Sequence, residues 1–156
     1  MFVTNHVLSG VLIGRLFERR PISAFFVGLA SHLALDAIPH WGCALTTEAD
    51  RHEFLRYAQR DGLFALAAAF GAVVAVDERS RPATLAAIAG TVLLDADKPV
   101  VYFLWRNPFP RVVRHLHARV QRESPHGMRN EIAFGLSCAL ADALIAAHGR
   151  RRTVAG

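Results

Sequence analysis

The stretch from Ala65 to Val76, ALAAAFGAVVAV, carries no polar residue on any face. Ala and Leu favour helix, and the stretch lacks the alternation of apolar and polar residues that marks a half-buried strand. A helix on the outside of a soluble bundle shows a polar stripe along one side. A helix that is apolar all round therefore favours a membrane protein.

The overall composition also favours a membrane protein. The chain has 156 residues, 53% of them hydrophobic and 20% charged, with a mean hydropathy of +0.26. This is more apolar and less charged than an average soluble domain. Disordered and collagen-like chains are excluded, and two cysteines are too few for a disulfide scaffold. The length predicts a single helical domain over residues 1–156.

Apolar segments recur along the chain between short polar or proline-containing stretches. We expect helices over Thr4–Phe17, Pro21–Ile38, Asp61–Val76, Pro82–Trp105 and Arg129–His148, with shorter ones at Glu48–Gln59 and Arg111–Arg122. Several of the apolar segments approach the length of about 20 residues that a bilayer span needs. The predicted fold is all-α: an antiparallel bundle of about five helices, embedded in a membrane, with a short amphipathic helix in the long loops.

Basic residues are placed as in a membrane protein rather than a nucleic-acid-binding one. Net charge is +5, and 17 of the 18 basic residues are arginines, Lys98 being the exception. They occur in short groups between the apolar segments, as in the loops between membrane helices. No basic strand with interleaved aromatic residues is present, so no nucleic-acid partner is expected. The amino terminus lacks a basic stretch and a cleavage site, and we expect it to belong to the mature fold.

Histidines and carboxylates collect at one end of the predicted bundle. Short connections make successive helices alternate in direction. That alternation brings together the start of the first helix, the end of the second, the start of the third, the second half of the fourth and the start of the fifth. The residues there are His6, His32, Asp36, His40, Asp61, Asp95, Asp97, His126 and Glu131.

Two of these residues, His32 and Asp36, share one helix face because they lie four positions apart. Asp95 and Asp97 would point about 200° apart in a regular helix, so both can hold one ion only if the helix breaks after Asp95, which Pro99 makes plausible. Burying an ionised carboxylate in an apolar segment costs on the order of several kcal/mol unless it is paired or binds a cation. The cation can be Lys98 or an arginine, and an isolated histidine can be a hydrogen-bonded core residue. Taken together, the group favours a divalent-metal site with His6, His32, Asp36, His40, Asp95, Asp97 and His126 as candidate ligands. Mixed imidazole and carboxylate ligands suit zinc, with manganese or iron as alternatives.

Other residues are candidates for catalysis and substrate binding near this site. Asp61 and Glu131 are candidate general bases, although Asp61 is equally suited to capping the third helix. The segment Arg111–Arg122 predicts a basic amphipathic helix that can lie at a membrane interface. Its Arg114, Arg119 and Arg122 are candidate ligands for a substrate phosphate.

Three motifs resemble those of the bacterial membrane-bound metal-dependent hydrolases, inner-membrane proteins distantly similar to zinc-dependent phospholipase C. Thr4-Asn5-His6-Val7-Leu8-Ser9-Gly10 resembles the family's T-x-H-x-x-x-G, and Ser31-His32-Leu33-Ala34-Leu35-Asp36 resembles its S-H-x-x-x-D. Gly90 to Asp97 resembles G-x-x-x-P-D-x-D, with Leu94 in place of the proline. The resemblance implies His6, His32, Asp36, Asp95 and Asp97 as ligands, and a multi-pass protein of the bacterial inner membrane.

Two functions are therefore expected. The first is metal-dependent hydrolysis of a phosphoester, with a phospholipid or lipid phosphate as substrate. The second is a non-catalytic membrane protein, such as a scaffold, an accessory subunit or a small permease, in which buried Asp and His residues form an ion or proton pathway.

Overall fold

The computed structural model describes residues 1–42 and 47–154, with Tyr102 and residues 148–154 described by their backbone alone. The predicted all-α class is confirmed, since helices make up most of these residues and each strand has two residues. The helices are α1 (Val3–Leu16), α2 (Pro21–Asp36), α3 (Glu48–Ala75), α4 (Arg81–Val92), α5 (Asp97–Leu104), α6 (Arg111–Val120) and α7 (Met128–Val154). A 3-10 turn (Leu94–Ala96) joins α4 to α5, and the strands are β1 (His40–Trp41) and β2 (Glu123–Ser124).

Two segment boundaries differ from the sequence prediction. Glu48–Gln59 and Asp61–Val76 form the single helix α3, which starts at a capping box between Thr47 and Asp50 and meets no proline along its length. The apolar segment Pro82–Trp105 is not one helix, because the 3-10 turn divides it at Asp95, where Pro99 makes a break plausible. A continuous helix would press the Pro99 ring against the Asp95 carbonyl. Pro99 lies in the first turn of α5, where its missing N–H costs nothing.

Glycines bring three helices into close backbone contact. A Cβ at Gly10 of α1 would lie 2.8 Å from the Cα of Ile88 in α4, and a Cβ at Gly14 would clash with Thr84. A Cβ at Gly90 of α4 would clash with the carbonyl oxygen of Phe25 in α2. Small residues are what allow helix axes to approach this closely. The pairings show that α1 runs antiparallel to α4, so α4 ends beside the start of α1.

The two longest helices flank α1 and run in the same direction as it. In α3, Ala65 packs against Val7 and Val11 of α1. In α7, Glu131 contacts Asn5 near the start of α1, and Asp142 pairs with Arg15 near its end. The starts of α1 and α7 and the ends of α2 and α4 thus meet at one end of the bundle, which we call the site end.

The outer faces of α3 and α7 are strongly apolar. Their exposed side chains include Leu63, Phe64, Leu66, Phe70, Val74, Ile132, Leu136, Leu140, Leu144 and Ile145. Glu48–Ala75 and Met128–Ala147 are both long and apolar enough to cross a membrane. Their hydrophobic surface is turned away from the protein, as a bilayer span requires, rather than into a core.

Candidate metal centre

Three imidazoles and two carboxylates converge at the site end from four separate elements. His6 lies in the first turn of α1, His32 and Asp36 in the last turns of α2, Asp95 in the 3-10 turn, and His117 in α6. All five side chains are buried, and those of His6, His32 and Asp36 have no exposed surface. In each of the trios His6–His32–Asp36 and His32–Asp95–His117, the candidate ligand atoms lie within 4.8 Å of one another.

The orientation of His32 is fixed by the end of α4. Its Nδ1 lies 2.6 Å from the carbonyl oxygen of Thr91, one of the acceptors left unpaired in the last turn of a helix. A carbonyl only accepts, so Nδ1 donates the proton of this hydrogen bond and Nε2 is the ring nitrogen that faces the cluster. Nε2 is 3.0 Å from Nε2 of His117 and 3.3 Å from Oδ2 of Asp36. This is the outer hydrogen bond that metal-binding histidines usually make.

Among the residues that the structure describes, neither ring nitrogen of His6 has a hydrogen-bond partner, although both are buried. Its ring stacks on His32 with 4.1 Å between centroids. Nε2 lies 3.2 Å from Oδ1 of Asp36 and 3.7 Å from Oδ2 of Asp95, without hydrogen-bond geometry to either. An unpaired buried nitrogen between two carboxylate oxygens is destabilising by itself, but it suits a shared cation.

Asp36 is the most heavily contacted member of the cluster. Its Oδ1 accepts from the Met1 amine at 2.7 Å. Its Oδ2 lies 3.0 Å from Nε2 of His117 and 3.3 Å from Nε2 of Gln121. The Gln121 amide is also 3.2 Å from Nε2 of His117. The carboxylate is thereby held in place with every oxygen facing a donor or an imidazole.

Asp95 connects the cluster to the surface through Lys98. The Lys98 ammonium lies 2.8 Å from Oδ1 of Asp95 and is about half exposed, whereas Asp95 is buried. Burial alone would raise the pKa of Asp95, but Lys98 and the histidines outweigh it, so the pKa lies below its ordinary value. Asp95 is therefore an ionised, buried carboxylate, the form that binds metal ions.

Asp61 and Glu131, the candidate general bases, lie beside the cluster and not in it. Asp61 accepts from the backbone N–H groups of Val3 at 2.6 Å and Thr4 at 3.1 Å, and also from the Thr4 hydroxyl. Glu131 accepts from the N–H of Phe2 at 3.1 Å and from the Asn5 amide at 2.6 Å. The residue before α1 offers no side-chain cap, so these two carboxylates cap the helix that carries His6. Asp61 is inside α3 and does not cap that helix.

The other three candidate ligands lie outside the two trios. His40 is buried in β1, where its Nδ1 is 2.8 Å from the carbonyl oxygen of Ile38. Asp97 accepts from the Asn107 amide at 3.3 Å. His126 is exposed.

His117 joins the cluster although the sequence shows no clear signal for it. Two histidines two positions apart, His115 and His117, cannot share a helix face, and either is a candidate. The structure turns Val113, His117 and Val120 toward the protein and leaves His115 exposed. Val113, His117 and Val120 are spaced i, i+4 and i+7, which places both valines on the same helix face as His117. This pattern is what could have distinguished His117 from His115 in the sequence.

Arg114, Arg119 and Arg122 are exposed. In the parts of the chain that the structure describes, no carboxylate pairs with any of them. Their charge is therefore available to an anion at the site end.

The donor set fits a divalent metal. Three imidazoles and two carboxylates from four elements meet in a buried space, and within the described part of the chain neither ring nitrogen of His6 is hydrogen-bonded. Nitrogen and carboxylate ligands suit zinc, manganese and iron. No family model matches this sequence, and no curated protein or solved structure is significantly similar to it.

Proposed function

We propose that the protein is an integral membrane hydrolase that cleaves a phosphoester, in a phospholipid or lipid phosphate, with a divalent metal bound at the site end. The observation that carries the proposal is the meeting of His6, His32, His117, Asp36 and Asp95 in one buried cluster. Buried acids and unpaired imidazoles are expensive to assemble without a cation. Sites with perturbed ionisable groups of this kind are enriched in functional centres.

The five cluster residues would hold the metal, and zinc is the ion we expect. Such an ion lowers the pKa of a bound water and polarises a phosphoryl oxygen. His32 is oriented for this role by Thr91, and His6 is positioned by the capping of α1. Asp61 and Glu131 thus act as positioning residues in this proposal.

Substrate would approach along the half-exposed Lys98, the member of the cluster region nearest to solvent. Lys98 holds an ammonium next to Asp95 and offers a charge to a phosphate oxygen. Arg114, Arg119 and Arg122 lie exposed on α6, the helix that contributes His117. Arginine binds phosphate through paired N–H donors.

The membrane part of the proposal is that the chain is a multi-pass protein of the bacterial inner membrane. The window Met128–Ala147 has 20 residues and is about 30 Å long at about 1.5 Å per residue, which matches a bilayer core. The short apolar helices α1, α2 and α4 pack with α3 and α7 into a membrane bundle of alternating direction. The glycine contacts within it are the kind that membrane helices use in place of a hydrophobic driving force.

The first test is elemental analysis of the full chain purified in detergent. We expect about one equivalent of zinc, manganese or iron in the unmodified protein and little in His32→Ala. The matched control is His126→Ala, an exposed histidine outside the cluster, which should keep the metal. Negligible metal in all three proteins would refute the metal site.

The second test is turnover. The protein in mixed micelles should hydrolyse bis(p-nitrophenyl) phosphate or a phospholipid, lose this activity in a chelator and regain it when the metal is restored. Retained metal with no turnover of either substrate would reject the hydrolase while leaving the metal site intact.

One observation favours the alternative of a non-catalytic membrane protein. The side chains of His6, His32 and Asp36 have no exposed surface, and Asp36 is already paired with the Met1 amine. Closed metal sites are usually structural rather than catalytic. Proton or cation flux into liposomes that is abolished by Asp95→Asn, without phosphoester turnover, would establish this alternative.

A further inference from the structure

We propose that the segment formed by α5 and α6 is a binding surface for anionic phospholipid, seated in the headgroup layer beside the metal centre. The proposal rests on the membrane part of the proposed function and is independent of whether the protein is catalytic. It assigns one occupant, the phosphate headgroups and upper acyl chains of an anionic leaflet.

Charge is the first support. Residues 98–122 contain six basic side chains and no acidic one. They are Lys98, Arg106, Arg111, Arg114, Arg119 and Arg122. The five arginines are exposed, and among the described residues none of them pairs with a carboxylate. An unneutralised basic segment next to membrane helices is attracted to anionic lipid.

The division of apolar residues on α6 is the second support. Val113 and Val120 turn inward with His117, whereas Val112 and Leu116 are 78% and 52% exposed. The helix thus carries apolar residues on a face that the protein does not cover, next to exposed arginines. A water-facing helix gains nothing from such a face, but an interfacial helix inserts it among the acyl chains.

The end of α5 adds a group of large apolar side chains. Phe103, Leu104 and Trp105 are 73%, 69% and 88% exposed. Trp105 ends the helix in the left-handed conformation, with φ of 53°, which is unfavourable for a residue other than glycine. Tryptophan is enriched at the level of the lipid headgroups because its ring is apolar and its N–H is polar.

Lipid explains these features better than a nucleic acid does. Both have phosphates for the arginines, but only lipid also accommodates the exposed Trp105, Leu104 and Val112. The surface lies directly over the cluster, since α6 carries His117 and α5 begins two residues after Asp95. Headgroup phosphates bound here would lie beside Lys98, at the depth of the metal centre.

Tryptophan fluorescence tests the proposal on the full chain, because the sequence has only two tryptophans, Trp41 and Trp105. The variant Trp41→Phe, conservative within the contacts to Phe2 and Tyr57, leaves Trp105 as the sole reporter. Reconstituted in phosphatidylcholine vesicles, Trp105 should be quenched by brominated phosphatidylcholine and shielded from iodide. At equal mole fraction, brominated phosphatidylglycerol should quench it at least about twofold more, since one basic residue near an anionic surface contributes about fivefold to binding.

Two controls locate the effect. The preference is the ratio of Trp105 quenching by brominated phosphatidylglycerol to quenching by brominated phosphatidylcholine. This ratio should fall close to one in the triple variant Arg114→Gln/Arg119→Gln/Arg122→Gln. It should be unchanged in the control at the opposite end of the bundle, Arg19→Gln/Arg20→Gln/Arg79→Gln. If the first triple variant does not fold, raising salt on the Trp41→Phe protein should reduce the preference in the same way. Equal quenching by the two lipids, full access of iodide to Trp105, or shielding by RNA instead of lipid would each overturn the proposal. Bound metal, measured in the same samples, reports separately on the metal centre.

Discussion

Replacing Gly10 by alanine tests whether the close approach of α1 and α4 maintains the fold. The added Cβ would lie 2.8 Å from Cα and 2.9 Å from N of Ile88, closer than Cβ atoms essentially ever come to other heavy atoms. Both contacts are with backbone, so no side chain can rotate away. An ordinary contact of about 3.4 Å therefore requires the two helices to separate by about 0.6 Å.

The expected cost follows from two opposing effects. Overpacking of this size destabilises by about 1–3 kcal/mol, and alanine regains about 0.8–1 kcal/mol of helix propensity over glycine. The net loss is about 0–2 kcal/mol, equivalent to a fall of up to about 8 °C in Tm for a chain of this size. The matched control is Gly71→Ala in α3, where a Cβ meets nothing within 4 Å. There the propensity gain stands alone, and Tm should stay level or rise.

Far-ultraviolet circular dichroism during heating in detergent measures both changes. The same samples should be analysed for metal, because α1 carries His6 and α4 leads into Asp95, 3.7 Å away. Gly10→Ala should lose metal affinity along with stability, and Gly71→Ala should lose neither. An equal change of Tm in the two variants, of either sign, would refute the backbone contact between α1 and α4.

Three further predictions concern the site end and the flanking helices. Glu131→Gln should lower stability by about 1 kcal/mol, since a neutral amide interacts less well with the N-terminus of α1 than a carboxylate; an unchanged Tm would contradict this role. His117→Asn should weaken metal binding by at least about tenfold in a chelator competition, while His126→Asn should not, and equal losses would exclude His117 as a ligand. Arg15→Met should destabilise more than Arg15→Met/Asp142→Leu, because the single change leaves a carboxylate of the candidate span unpaired; the reverse order of Tm would show that the pair contributes nothing.

The helical class could be predicted because it depends on local composition. Long apolar runs rich in alanine and leucine form helices wherever they are placed. The convergence of His6, His32, Asp36 and Asp95 also follows from chain order, because the starts and ends of successive helices meet when their directions alternate.

The remaining details depend on contacts between distant segments. Asp61 is a residue type that commonly caps helices, but it caps α1 and not its own helix. This could not be predicted without knowing that the start of α1 lies beside the middle of α3. His117 and His115 are equivalent by sequence until the inner face of α6 is known. His40 lies in β1 and His126 in the turn before α7, and chain order alone does not show that His40 turns to its own backbone and His126 to solvent.

The capping of α1 also has an electrostatic consequence for the metal centre. The carboxyl ends of α2 and α4 meet at the site end and carry partial negative charge, which favours a cation there. The amino end of α1 carries partial positive charge and opposes it, yet this helix supplies His6. Asp61 and Glu131 place two carboxylates on the first N–H groups of α1, and so offset the positive end of the helix that supplies His6. In the proposed metal site, these two acids therefore act by electrostatics, since they allow His6 to approach a cation from the positive end of a helix.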